Sequence, residues 1–171
     1  MEDGLWNYFN SFLSHALLWL GEGEKMSQLL YDFGEHSSPT LVWREEQKPQ
    51  GEGYEEVGDM PHNWASAEFI RMVIHMIQLD RGNDLHLFEG LPENWTKANK
   101  EVRFKNILTP FGPVNLQLKI NNTRSKANLN LEFLNDNHLP EKIIIHKSTW
   151  TSEKKPQVLE SKKNINLEIK I

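Results

Sequence analysis

The apolar residues of this chain change period once, and that change constrains the fold more than any other feature. Up to Ile77, apart from a loop over 36–62, they recur at three- and four-residue spacing, as amphipathic helices require. From Glu101 onward most of them alternate with polar residues, as half-buried strands require. The two patterns are segregated along the chain, so the expected fold class is α+β, with helices first and an antiparallel sheet or sandwich after them. Charge divides at nearly the same place. Residues 1–100 carry a net charge of −10 and five of the six tryptophans, whereas residues 101–171 carry +5. The expected organisation is a helical segment over 1–82, a linker over 83–100 and a β domain over 101–171.

In the front half, Leu5, Phe9, Phe12, Leu13, Ala16, Leu17 and Leu20 would share one wide apolar face of a helix over 5–20. Gly21 and Gly23 stop it, since glycine takes the left-handed cap conformation without steric cost. A second helix is expected from about Glu24 to Glu35, burying Met26, Leu29, Leu30 and Phe33, and the short connection makes the pair an antiparallel hairpin. A third helix is expected from Asn63 to about Asp80, with Trp64, Ala67, Phe69, Ile70, Val73, Ile74 and Ile77 as its apolar positions and Gly82 as its stop. The strand candidates are 101–108, 114–120, 127–133, 142–146 and 164–171, with Asn121-Asn122 as a hairpin turn. A short strand at Leu85 and Leu87 bridges the halves.

Several function classes are excluded or disfavoured. There is no cysteine, hence no disulfide, thiolate metal site or cysteine nucleophile. The longest apolar run, Ala16 to Leu20, is too short to span a bilayer, so no membrane partner is expected. Met1 is followed by Glu2 and Asp3, which is unlike a secretory signal; a true start at Met1 implies the cytoplasm. The lysines of the back half are scattered without an aromatic or glycine-rich RNA-binding signature, so no nucleic-acid partner is expected. No phosphate-cradling glycine loop or Gly-x-Ser-x-Gly turn is present. The seven histidines lack ligand spacing, so neither a metal nor another cofactor is expected.

The 27 residues from His36 to His62 have little periodicity but specific chemistry: Trp43, Arg44, Glu45, Glu46 and Gln47, then Tyr54, Glu55 and Glu56, then Asp59, Met60, Pro61 and His62. A disordered linker seldom places aromatics among its carboxylates, which points to an ordered, site-forming loop.

The stretches His36-Ser37-Ser38-Pro39, Val42-Trp43-Arg44-Glu45-Glu46-Gln47 and Gly58-Asp59-Met60-Pro61-His62-Asn63-Trp64-Ala65 resemble the late part of bacterial six-hairpin glycosidases. Leu85-His86-Leu87-Phe88-Glu89-Gly90-Leu91-Pro92 and Thr109-Pro110-Phe111-Gly112-Pro113-Val114 resemble the seam that follows it. That family folds as an (α/α)6 toroid of twelve helices, often followed by a β-sandwich. The resemblance implies a carbohydrate partner and hydrolysis of O-glycosidic bonds. It implies that Glu45 and Glu46 are the catalytic candidates, and that Trp43, Arg44, Asp59, His62 and Trp64 line the sugar site. It also implies that three helices are the C-terminal end of an incomplete toroid, inactive alone and prone to self-association or to pairing with the missing toroid segment.

Glycoside hydrolysis needs two carboxyl groups, roughly 5–5.5 Å apart for retention or about 6.5–9.5 Å for inversion. Adjacent residues of an extended segment point to opposite sides, so Glu45 and Glu46 are a poor pair with each other. Glu55, Glu56 or Asp59 would supply the second group if the loop folds back. The alternative is that these carboxylates cap helices and bind loop amides while both tryptophans are core, leaving a non-catalytic accessory module or a structural remnant.

Overall fold

In the computed structural model, which describes residues 4–48, 56–135 and 137–171, three α-helices precede two four-stranded sheets in a mixed α+β arrangement. The chain divides into two units, Met1–Met76 and Ile77–Ile171.

The first unit contains α1 (Asn10–Trp19), α2 (Gly23–Glu35), α3 (Asn63–Ile77) and a two-stranded ladder of β1 (Glu46–Gln47) with β2 (Glu56–Val57). Helix α1 ends as its glycine predicts. Gly21 adopts φ +77°, its N–H donates to the Leu18 carbonyl at 3.0 Å, and the Glu22 N–H donates to Leu17 at 2.8 Å. These two bonds close a Schellman cap and turn the chain into α2. At its other end the helix is shorter than expected. A 3-10 turn over Asn7–Phe9 precedes it, and Leu5 instead exchanges backbone hydrogen bonds with Gln47.

The larger correction concerns which face of α1 is covered. The helix buries Ser11, Ser14 and Leu18 and leaves Phe12, Leu13 and Trp19 exposed, as are the residues that flank it, Phe9 and Leu20. Spacing identifies which residues share a face but not which face meets a neighbour. The serines can be buried because each hydroxyl donates to a carbonyl three residues earlier, Ser11 to Tyr8 at 2.9 Å and Ser14 to Ser11 at 2.7 Å. Helix α3 behaves similarly: Ala65, Glu68, Met72, Met76 and Ile77 are buried while Trp64 and Ile70 are exposed. Met26, Leu30 and Phe33 from α2 complete the core with Trp43. His75 packs against His15, their Nδ1 atoms 3.1 Å apart.

Among the described residues the second unit has eight strands: β3 (Gln78–Arg81), β4 (Asp84–Leu87), β5 (Glu101–Thr109), β6 (Gly112–Ile120), β7 (Lys126–Phe133), β8 (Lys142–Ile145), β9 (Gln157–Glu160) and β10 (Asn164–Lys170). One sheet runs β10-β7-β6-β5 and is antiparallel throughout; the other runs β3-β4-β8-β9. In the first, Leu116 lies opposite Leu131 and Leu131 opposite Ile165, while Leu118 faces Leu129 and Leu129 faces Leu167. The three separate apolar sets of the sequence are therefore one continuous face, and cross-strand pairs of this kind stabilise a sheet.

The second sheet departs from expectation. The third helix ends at Ile77, not near Asp80, because residues 78–81 pair antiparallel with 84–87 around Gly82-Asn83. Gly82 at φ +62° supplies the left-handed residue that a two-residue hairpin turn needs. The expected linker over 83–100 thus begins with an interior strand, and the unit boundary falls at residue 76 rather than 82. Strand β8 runs parallel to β4, so this sheet is not wholly antiparallel. Among the described residues no helix is long and apolar enough to cross a membrane.

The inverted packing of α1 is open to a direct check by urea denaturation. Leu13→Ser should change stability by less than about 0.5 kcal/mol. Ser14→Leu, which overpacks the covered face, should cost about 1–3 kcal/mol. The reverse ranking would return the apolar face of α1 to the core.

Candidate functional site

The connection between α2 and α3 folds back on itself. Its first turn is closed by Ser38, whose N–H donates to the Val42 carbonyl at 2.8 Å and whose hydroxyl accepts from the Val42 N–H at 3.3 Å. Beyond it the chain runs antiparallel to residues 56–62. The Glu45 N–H donates to the Asp59 carbonyl at 3.1 Å, Glu46 pairs with Val57, and the His62 N–H donates to Trp43 at 2.8 Å.

Extended backbone sends the two neighbouring carboxylates to opposite sides. Glu45 lies against Gly58 and Glu46 against Gly4; a Cβ on either glycine would overlap the carboxylate beside it. Gly58 also sits at φ +78°, so both its conformation and its lack of a side chain are used. Glu46 is fully enclosed at 0% exposure, whereas Glu45 keeps part of its surface open.

Tyr8 joins these groups to α3. Its ring stacks on Trp64 with centroids 4.5 Å apart and meets the His62 ring edge-on at 5.1 Å. Phe9 and Trp6 lie 4.5 and 5.7 Å from the same ring. Burial raises the Tyr8 phenol above its usual value of 10.0, and the negative charges of Glu45 and Glu46 raise it further. Trp64 is held by its indole N–H, which donates to Glu68 Oε1 at 3.0 Å, and Glu68 is in turn paired with Arg71 at 2.6 Å. With its edge fixed in this way, the Trp64 side chain remains 49% exposed. His62 Nδ1 is buried and has no hydrogen-bond partner among the described residues.

The structure therefore brings together Glu45, Glu46, His62 and Trp64 from the sequence-derived set. Trp43 goes elsewhere: at 3% exposure its indole N–H donates to the Phe33 carbonyl at 2.7 Å, and Phe33 and Phe69 pack on its ring. It has no open face to offer a ligand, because its rim and ring are committed to the core. Asp59 is exposed and Arg44 partly so. Glu56 aligns its backbone with Gln47, and Glu55 lies outside the described residues. Tyr8 and Glu68 were missed. Tyr8 falls inside the run read as the start of a helix and outside its apolar face, so only the aromatic cluster Trp6-Asn7-Tyr8-Phe9 could have marked it.

A second group of ionisable side chains lies in Ile77–Ile171. Arg81 on β3 and Asp84 and His86 on β4 share one sheet face, and Arg81 forms an ion pair with Glu89. His86 Nδ1 is 2.8 Å from His146 Nε2. Burial first, then the Arg81 charge, lowers His86 to about 4; burial, His86 and Arg81 lower His146 to about 4. Both rings are uncharged at neutral pH.

No family model, no curated protein and no solved structure matches this chain.

The environment of Tyr8 can be read by following its ring carbon resonances against pH, with Tyr8→Phe as the assignment. The phenol should ionise above 10.0, and Glu45→Gln should lower its midpoint. Because the folded state holds this proton more tightly than the unfolded chain, the associated stability is full below pH 10 and is lost as pH rises through the folded midpoint. A Tyr8 that titrates at or below 10 would contradict the placement.

Proposed function

We propose that this chain is the C-terminal part of a six-hairpin carbohydrate-active enzyme acting on O-glycosidic bonds, and that the surface around Tyr8 is its share of the sugar cleft. The observation that carries the reading is Trp64. Its half-exposed ring is stacked on Tyr8 with the His62 ring 6.3 Å away, and Glu45, whose charge acts on the same phenol, keeps part of its surface open. A pyranose presents one apolar ring face and a rim of hydroxyls. A fixed indole suits the face, while a partly open carboxylate suits the rim.

The inverted face of α1 favours the same reading. A helix that buries serines and exposes Phe12, Leu13 and Trp19, with Phe9 and Leu20 exposed beside it, leaves apolar surface for neighbours, and further helices of a toroid would cover it. The two four-stranded sheets would then be the accompanying β-sandwich. Glu45 is the carboxylate best placed to face substrate, and Glu46 would support the loop from inside. One open carboxylate does not complete a two-carboxyl mechanism, so the second would come from other hairpins and the isolated chain would bind without turning over.

The test is saturation-transfer NMR with methyl glycopyranosides of glucose, galactose, xylose and rhamnose, each at millimolar concentration. At least one should receive saturation, and Trp64→Ala should abolish the transfer without changing the circular dichroism. No transfer to any of them, or transfer that survives Trp64→Ala, would overturn the assignment.

A further inference from the structure

The cluster of Arg81, Asp84, His86, Glu89 and His146 plays no part in the sugar reading, yet its parts are brought together by specific means. Parallel pairing places His86 opposite Ile144, and the His146 N–H continues the ladder to the Leu87 carbonyl at 2.9 Å. Two histidines 60 residues apart thereby come side by side with a nitrogen of each facing the other. Directly before Glu89 stands Phe88, a fully buried residue held at φ +64°. That conformation is uncommon for a bulky residue, and it redirects the chain immediately before Glu89.

Glu89 divides its two oxygens. One is ion-paired with Arg81, and the other lies 3.5 Å from His146 Nδ1. Ligand atoms of His86, Glu89 and His146 all lie within 4.8 Å of one another. Asp84 shares a strand face with His86, and its buried Oδ1 has no hydrogen-bond partner among the described residues.

We propose that His86, His146 and Glu89 form a binding site for a divalent transition-metal ion, with zinc the best match. Two imidazoles and one carboxylate are a zinc donor set, with bonds of about 2.0–2.2 Å and donors about 3.3 Å apart in tetrahedral geometry. His146 turns its Nε2 toward His86 and its Nδ1 toward Glu89, so to hold one ion the ring would turn until a single nitrogen joins a His86 nitrogen and the Glu89 oxygen, which already lie within 4.8 Å of it. Metal binding would replace the hydrogen bond between the two imidazoles and release its N–H proton to solvent or to the ring nitrogen left outside the site. Arg81 has a positioning role: it holds one oxygen of Glu89 and so orients the other, as hydrogen bonds to metal-bound carboxylates do. The guanidinium charge opposes a cation, and Asp84 on the same face offsets it. No more than three side chains are involved, which leaves a coordination position for water or another ligand.

Spacing excluded this site from the sequence, because the histidines meet only through a parallel strand pair. The test uses the full chain stripped with a chelator and titrated with zinc chloride by calorimetry. One equivalent should bind, and His86→Gln and His146→Gln should each weaken binding at least tenfold, while His138→Gln should not. In the wild-type chain the ring nitrogens of His86 and His146 should shift on zinc addition in nitrogen-15 NMR, a readout that does not depend on a variant folding. No binding, binding that both variants retain, or shifts confined to other histidines would overturn the proposal.

Discussion

Tyr8 touches Trp64 in the first turn of α3, His62 just before that helix and Phe9 just before α1, and the charges of Glu45 and Glu46 in the folded-back loop act on it. Rings packed at such distances add about 0.5–1.5 kcal/mol per pair beyond their buried area. Several such pairs meeting at one residue fix three chain segments relative to one another. The Leu5–Gln47 bridge brings the Tyr8 segment to the loop, and the Glu45–Asp59 and His62–Trp43 hydrogen bonds bring the loop to α3. Without that ring, Trp64 would lose its stacking partner and the two carboxylates would lose the surface they border.

The packing of the helices follows from the same economy of space. Serine at positions 11 and 14 leaves the covered side of α1 thin, and the hydroxyls satisfy themselves on their own helix. The core of the first unit is then built by Met26, Leu30, Phe33, Trp43, Met72 and Met76, not by the aromatic side of α1. What remains outside is a line of rings from Trp6 through Phe9 to Phe12, with Arg71 over the Phe12 ring at 5.6 Å.

The helix and strand regimes, the Gly21 cap and most of the β5, β6, β7 and β10 strands were legible in the sequence because they depend on local period and on turn residues. The opposed directions of Glu45 and Glu46 were legible for the same reason. The covered face of α1 was not, since period defines a stripe and tertiary packing chooses whether to bury it. Residues 78–81 read as a continuation of α3, and only pairing with 84–87 makes them a strand. Trp43 and Trp64 carry identical side chains with opposite fates, decided by Phe33 and Phe69 in one case and by Glu68 and Tyr8 in the other. The approach of His86 to His146 depends wholly on the parallel β4–β8 register.

The most direct measurement is a crystal structure of the chain soaked in the methyl glycoside that it binds best. The expected result is a pyranose lying on the exposed ring of Trp64, with a hydroxyl donating to the Glu45 carboxylate. A sugar seated on the β sheets, or a Trp64 surface that stays bare at saturating glycoside, would contradict the account.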